Sequence, residues 1–92
     1  MSAEISAFGV VVEAPKLSET ANGVAKVTAR LKVEYAGKSF LLSVIAYAEK
    51  AYYLLAKSIG DNIYVRGTGY PTWWDKGGAI NAGISVQAQE IR

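Results

Sequence analysis

The stretch AEKAYYLLAKSIGDNIYVRG, residues 48–67, changes its hydrophobic period at Gly60. Ahead of that glycine, apolar residues recur every three or four positions, which predicts a helix of about 11 residues with Gly60 as its C-cap. Beyond it, residues 61–70 alternate and predict a strand. Its inward positions are Ile63, Val65, Gly67 and Gly69, and its outward positions are Tyr64, Arg66, Thr68 and Tyr70. A helix therefore leads directly into a half-buried strand.

The N-terminal part of the chain predicts one long strand. Residues 3–14, AEISAFGVVVEA, are rich in Val, Ile and Phe, and Gly9 in their middle indicates a bulge or bend. We expect this strand to stop at Pro15, because residues 15–23, PKLSETANG, have the composition of a turn.

Three further segments complete the pattern. Residues 24–35, VAKVTARLKVEY, alternate apolar and polar side chains and predict a strand with one buried face. Residues 38–47, KSFLLSVIAY, are apolar on both faces and predict a central strand, joined to the previous one by a hairpin through Ala36-Gly37. Residues 70–78, YPTWWDKGG, predict a turn that holds both tryptophans, and the alternation over residues 80–89 predicts the last strand.

Five strands with a single helix between the third and the fourth give the element order of the OB-fold, a small Greek-key barrel. Glycines inside the strands, at Gly9, Gly67 and Gly69, suit a sheet that must bend sharply to close. A meander sheet with a helix laid across it would show similar periodicity and is the alternative. A chain of 92 residues has room for one core, so residues 1–92 are expected to form a single domain with one site.

The composition argues against catalysis. There is no histidine and no cysteine, and the eight Asp and Glu residues are scattered without a close pair. We therefore expect no enzymatic activity, no cofactor and no metal site.

The net charge of +2 is mild, so a polyanionic ligand would have to meet a local basic patch. The N-terminus lacks a basic segment and no apolar run reaches about 18 residues, which predicts a cytoplasmic protein without membrane contact.

Glycines and aromatic residues in this chain match a known family pattern. The matching positions are Phe40 at the start of the third strand, Gly60, Tyr64 and Gly67 in a G-x-x-[VI]-Y-[VI]-x-G segment, Trp74 seven residues after Gly67, and Gly9-Val10-Val11 in the first strand. With these positions the chain resembles the bacterial single-stranded-DNA-binding protein family and its primosomal replication protein relatives. The resemblance extends over nearly the whole sequence.

The resemblance implies largely sequence-independent binding and protection of single-stranded DNA in replication, recombination or repair. Two features depart from the family. The hairpin over residues 35–38 is shorter than is common there, which removes some of the loop that would wrap a DNA strand. The sequence stops at Arg92 directly after the last strand, so we expect it to lack the acidic C-terminal tail through which family members recruit enzymes.

Binding of this kind requires cations along the phosphates and flat rings for unstacked bases. The predicted nucleic-acid contacts are Lys26, Arg30, Lys32, Phe40, Arg66, Tyr70, Trp73, Trp74 and Lys76. The sequence does not decide between single-stranded DNA and RNA as the ligand. Alternating cations are also typical of a plain solvated strand face, and Phe40 is equally compatible with a core position.

The adjacent tryptophans allow more than one function. If Trp73 and Trp74 lie on extended backbone they point to opposite sides, so one is predicted to pack and the other to face a base. Alternatively, the Trp73-Trp74 turn is an interface hot spot and the chain is a protein-interaction or assembly module. Oligosaccharide stacking on either ring is a third hypothesis. Tyr52 and Tyr53 in the helix favour packing or subunit contact over DNA contact.

The first and third strands carry apolar residues on both faces, which is more than a small barrel can bury inside. We therefore predict a homo-oligomer, dimer or tetramer, formed through the first strand and its neighbours. The resemblance implies the same.

Overall fold

Five long strands and one short helix make up the chain. The computed structural model describes the backbone of residues 3–92 and the side chains of these residues except 35, 73–76 and 79–82. The elements are β1 (Ala3–Glu19), β2 (Ala25–Tyr35), β3 (Lys38–Tyr47), α1 (Glu49–Leu55), β4 (Asn62–Lys76) and β5 (Ala79–Ile91). Their order confirms three strands, a helix and two strands.

The strands close into a barrel in the order β1-β2-β3-β5-β4, with β4 pairing back to β1. All neighbours are antiparallel except β3 and β5, which run parallel from Leu42 opposite Ile84 to Ile45 opposite Gln87. A meander would pair β4 directly with β3, whereas here β5 lies between them. The predicted OB-fold is therefore confirmed, and β3 is a central strand as predicted.

Alternation along each strand fills the barrel interior. The buried core consists of Val11, Val27, Ala29, Leu31, Val33, Leu42, Val44, Ala46, Ala51, Leu54, Ile63, Val65, Val86 and Ala88. Ala51 and Leu54 come from α1, which contacts β1, β2, β3 and β5 and so covers one end of the barrel. The outward positions of β2 and β4 remain polar, as their period of two predicts.

Glycine permits the closest approach between β4 and its neighbours. A Cβ on Gly67 would lie against the carbonyl oxygen of Gln87, and a register shift separates Arg66 from Gly67 at this point. A bulge with no side chain allows a strand to bend at this point. At Gly9, where a bulge or bend was also predicted, the pairing with β4 is regular, and the first shift in β1 lies after Val11. The turn that follows β4 consists of Gly77 and Gly78, both with positive φ, as a two-residue hairpin requires.

The prediction that β1 stops at Pro15 is wrong. β1 continues to Glu19 and pairs with β2 as far as Glu19 opposite Ala25. Register shifts lie between Val11 and Glu13 and between Glu13 and Lys16. Pro15 falls in the second shift, where a residue without an amide hydrogen is tolerated because the ladder is already interrupted.

The predicted helix is too long. α1 has 7 residues and ends at Leu55, with Ala56 rather than Gly60 as its C-cap. The segment that follows α1 makes other hydrogen bonds. The amide of Gly60 donates to the carbonyl of Val11 at 2.8 Å, and the Asp61 carboxylate accepts from the amide of Ser58 at 2.8 Å. These bonds hold the chain against β1 in place of a further helical turn.

The prediction that the tryptophans lie in a turn is also wrong. β4 runs to Lys76, six residues beyond the expected end at Tyr70, and the ladder places Trp73 opposite Ala82 and Trp74 opposite Asn81. Both residues therefore have strand backbone, while the turn itself is Gly77-Gly78. Across the described residues, no helix is long and apolar enough to span a membrane.

Candidate nucleic-acid interface

One outer surface of the barrel concentrates cations. We define the basic face by the outward side chains of β2 and the β1 and β3 residues beside them; its cations are Lys16, Lys26, Arg30 and Lys32. Three of these were predicted contacts, and the structure confirms that all three lie on the outward side of β2. Lys26 stands opposite Tyr47 of β3, and Arg30 stands opposite Ser43.

A single cross-strand row joins Arg30 to Tyr70. Arg30 pairs with Ser43 on β3, Ser43 with Ser85 on β5, and Ser85 with Tyr70 on β4. Because neighbouring strands lie about 4.8 Å apart, three such steps separate the backbones of Arg30 and Tyr70 by roughly 14 Å along the curved sheet. The two residues between them are small, and Ser85 is buried at 6% exposure. The row therefore has a cation at one end and a ring at the other.

Two carboxylates partly neutralise the basic face. Glu13 lies 3.4 Å from the Lys16 ammonium and 3.6 Å from Nε of Arg30, and Glu34 lies 3.9 Å from the Lys32 ammonium. The four cations named above exceed these two carboxylates by two positive charges. Because all of these side chains are at least two-fifths exposed where they pair, the ion pairs are weak and exchangeable with water.

Arg66 lies in a different environment from the basic face. Its guanidinium donates to Glu90 at 3.1 Å and to Glu4 at 3.2 Å, while Arg92 pairs with the other oxygen of Glu90 at 2.9 Å. The hydrogen bond to Glu90, followed by that to Glu4, raises the pKa of Arg66 above its usual range. Two cations meet two carboxylates, so we name this surface of β1, β4 and β5 the charge-balanced face.

An aromatic pair lies beside these ions. The rings of Phe8 and Tyr64 are 4.9 Å apart between centroids, and the Arg92 guanidinium stands 4.7 Å from the centre of the Tyr64 ring. Phe8 is 74% exposed although it is wholly apolar. The charge-balanced face is thus a surface of low net charge with an uncovered ring.

Phe40 is on neither face. It belongs to the inward series of β3 with Leu42, but it lies near the open end of the barrel and is 44% exposed. It lines an apolar groove there with Ile5, Val33 and Ile84. Its role as a DNA contact stays a prediction.

The side chains of Trp73, Trp74 and Lys76 lie outside the described residues. Their roles as nucleic-acid contacts stay predictions. Tyr52 and Tyr53 of α1 are 60% and 44% exposed, so packing within the chain does not explain them. The Lys57 ammonium stands 4.6 Å from the centre of the Tyr53 ring.

The sequence analysis missed several residues of the cross-strand row and of the surface beside Arg30. Ser43 and Ser85 carry no signal of their own, because only the parallel pairing of β3 with β5 brings them between Arg30 and Tyr70. Lys16 and Glu13 were assigned to a turn and to a strand end. The alternation of Lys16 and Ser18 with Leu17 was a signal that the strand continues past the proline.

The fold and this surface define a class: a small OB-fold barrel with one basic outer face. Solved structures of bacterial single-stranded-DNA-binding proteins share the fold. The small single-stranded-DNA-binding protein of Streptomyces coelicolor superposes with a TM-score of 0.84 at 22% identity, over 100% of this chain and 94% of that one. The Thermus aquaticus protein gives 0.78 at 22% identity over 97% of this chain and 38% of that one, and the SSB domain of a Synechococcus sp. protein gives 0.70 at 16% identity over 98% and 91%.

At sequence identities of 16 to 22%, the similarity to these proteins is a similarity of fold. The chain spans well under half of the Thermus aquaticus protein. No protein-family profile matches the sequence, and no curated protein matches it significantly.

Proposed function

We propose that this chain binds single-stranded DNA, largely without regard to base sequence and without catalysing a reaction. The observation that carries the proposal is the basic face of β2, whose cross-strand row through Arg30 leads to the ring of Tyr70 on the outer surface of the barrel. The structural neighbours from Streptomyces coelicolor and Thermus aquaticus are single-stranded-DNA-binding proteins, which supports the same ligand.

The ligand class follows from the chemistry of the basic face. Lys and Arg side chains neutralise phosphates, which are identical at every nucleotide, so they confer affinity without sequence choice. A ring accepts any unstacked base, because every base has a π-face, and each stacked base contributes about 1 to 3 kcal/mol. A duplex hides those faces, which favours a single strand.

We assign roles to the predicted contacts on this basis. Lys26, Arg30, Lys32 and Lys76 would bind phosphates, while Phe40, Tyr70, Trp73 and Trp74 would supply rings for bases. Arg66 would be a minor phosphate contact, because two carboxylates already neutralise its charge. The cellular role that fits such binding is protection of exposed single-stranded DNA in the cytoplasm during replication, recombination or repair.

We further propose that the chain forms a homodimer or homotetramer through β1 and its neighbours. The uncovered Phe8 ring and the equal numbers of cations and carboxylates on the charge-balanced face support this. A surface of low net charge can approach a second copy without repulsion, and burial of an exposed aromatic ring is favourable.

The test is a titration of intrinsic tryptophan fluorescence with oligo(dT), at low and at high salt, with oligo(U) alongside. We expect quenching that weakens as salt rises, because each neutralised phosphate contributes about 0.7 to the slope of log affinity against log salt. Absence of binding at low salt, by quenching and by anisotropy of a labelled strand, would overturn the proposal and leave the protein-assembly function as the better candidate. Binding that resists high salt would favour an uncharged ligand such as an oligosaccharide.

A further inference from the structure

Glu13 lies between Lys16 and Arg30, and Arg30 is one of the proposed phosphate contacts. Its two carboxylate oxygens face different cations, Oε1 toward Lys16 at 3.4 Å and Oε2 toward Arg30 at 3.6 Å. The same three side chains line a shallow groove whose remaining wall is formed by residues of β2 and β3: Thr28, Ala29, Ser43 and Ile45. The carboxylate therefore lies where an anionic ligand would bind.

Two register shifts in β1 produce this arrangement. Val11 is fully buried, and without a shift Glu13, two residues later, would also point inward. The shift between Val11 and Glu13 turns Glu13 outward, opposite Arg30. The second shift, between Glu13 and Lys16, brings Lys16 to the same surface, although residues three apart on a regular strand face opposite sides. Bulges re-aim side chains in this way beside binding sites.

The distances show that Glu13 holds its cations loosely. A charge-assisted hydrogen bond between nitrogen and carboxylate is about 2.7 to 2.9 Å long. The Glu13 contacts, at 3.4 and 3.6 Å, are longer than this and also longer than the hydrogen bonds that the Arg66 guanidinium donates to Glu90 at 3.1 Å and to Glu4 at 3.2 Å. Glu13 is also 43% exposed. The carboxylate can therefore be displaced from Arg30 and Lys16 without loss of a short hydrogen bond.

We propose that Glu13 is a built-in competitor of the nucleic-acid phosphate. In the free protein the carboxylate pairs with Lys16 and Arg30, and on binding a phosphate takes its place between the two cations. Phosphate and carboxylate compete here because both are anionic oxygen acceptors for the same donors. Glu13 thus lowers affinity and keeps binding readily reversible. This inference rests on the proposed function, since it concerns the same site.

The experiment compares Glu13→Gln with Glu19→Gln. Gln keeps the size of the side chain and removes its charge; Glu19 lies on the same strand but opposite Ala25, away from the two cations. The affinity for a labelled oligo(dT) is measured by anisotropy at several salt concentrations. Because Glu13 makes two exposed ion pairs, each of modest strength, we expect E13Q to bind roughly two- to thirtyfold more tightly than the wild type. E19Q should bind less than about twofold more tightly.

A double-mutant cycle separates competition from a general charge effect. In an Arg30→Ala, Lys16→Ala background the carboxylate has no cation to occupy, so E13Q should change affinity no more than E19Q does. A full gain in that background would overturn the proposal, as would wild-type affinity in E13Q itself. Thermal unfolding checks that each variant is folded, and Glu13→Ala serves as the second charge-removing variant.

The two proposals fail in different ways. If neither the wild type nor E13Q binds oligo(dT), the proposed function is wrong. If the wild type binds and E13Q binds equally well, single-stranded DNA is the ligand and Glu13 is not its competitor.

Discussion

The basic face and the charge-balanced face share only β1, and their cations are held differently. On the basic face, Arg30 and its neighbours pair with carboxylates at 3.4 to 3.9 Å. On the charge-balanced face, Arg66 and Arg92 pair at 2.9 to 3.2 Å. The first face has spare charge and the second has none. A count of exposed cations along the sequence would treat Arg30 and Arg66 alike, whereas the carboxylates beside them decide which one is available to a ligand.

The largest expected effect is on the basic face. Replacement of Lys26, Arg30 and Lys32 together by Ala should lower the affinity for oligo(dT) roughly 100-fold at low salt and reduce the slope of log affinity against log salt by about 2, because three phosphates lose their cations. Anisotropy at several salt concentrations measures both. An unchanged slope would show that the phosphates bind elsewhere on the barrel.

The next effect compares two tyrosines on the outward side of β4. Tyr70→Ala should lower affinity at least about fivefold, the lower end of the range for one stacked base, while Tyr64→Ala should leave affinity within about twofold. Both tyrosines are half-buried, so the two substitutions remove rings of similar exposure. Thermal unfolding checks that both variants are folded. Equal losses of affinity in folded variants would show that the DNA contacts the Tyr64 end of β4 as well as the Tyr70 end.

A third prediction concerns self-association through the charge-balanced face. Phe8→Glu should shift the protein to the monomer at micromolar concentration, because burial of an unpaired carboxylate in an interface is costly. Light scattering gives the mass. The triple basic-face variant is the control and should keep the mass of the wild type. A wild type that is already monomeric would refute self-association at this concentration.

The smallest effect is expected at Arg66. Arg66→Ala should lower the affinity for oligo(dT) by about twofold at most and the free energy of unfolding only slightly, since its ion pairs are partly exposed. Denaturant titration and anisotropy measure the two quantities. A loss of affinity comparable to that of Arg30→Ala would show that the ligand displaces Glu4 and Glu90 after all.

The sequence predicted the β2 surface because period two in a strand with a buried face fixes which side chains are outward. Lys26, Arg30 and Lys32 were found for this reason. It did not predict that Arg66 meets Glu4 and Glu90, because these residues are 62 and 24 positions away in the chain and meet only through pairing of β4 with β1 and β5. The ends of β1, α1 and β4 were also misjudged. β1 continues past Pro15 and β4 past Tyr70 because each pairs further with its neighbour, and α1 ends early while the amide of Gly60 bonds to Val11 of β1.

The amino-acid sequence by itself determined the number and order of the elements, the inward and outward residues of β2 and β4, and the absence of histidine and cysteine chemistry. These depend on local periodicity and composition. Only the tertiary structure decided the cross-strand row from Arg30 to Tyr70 and the position of Glu13. Both depend on which strands become neighbours and on two register shifts in β1, and such pairings are fixed by closure of the barrel around its core.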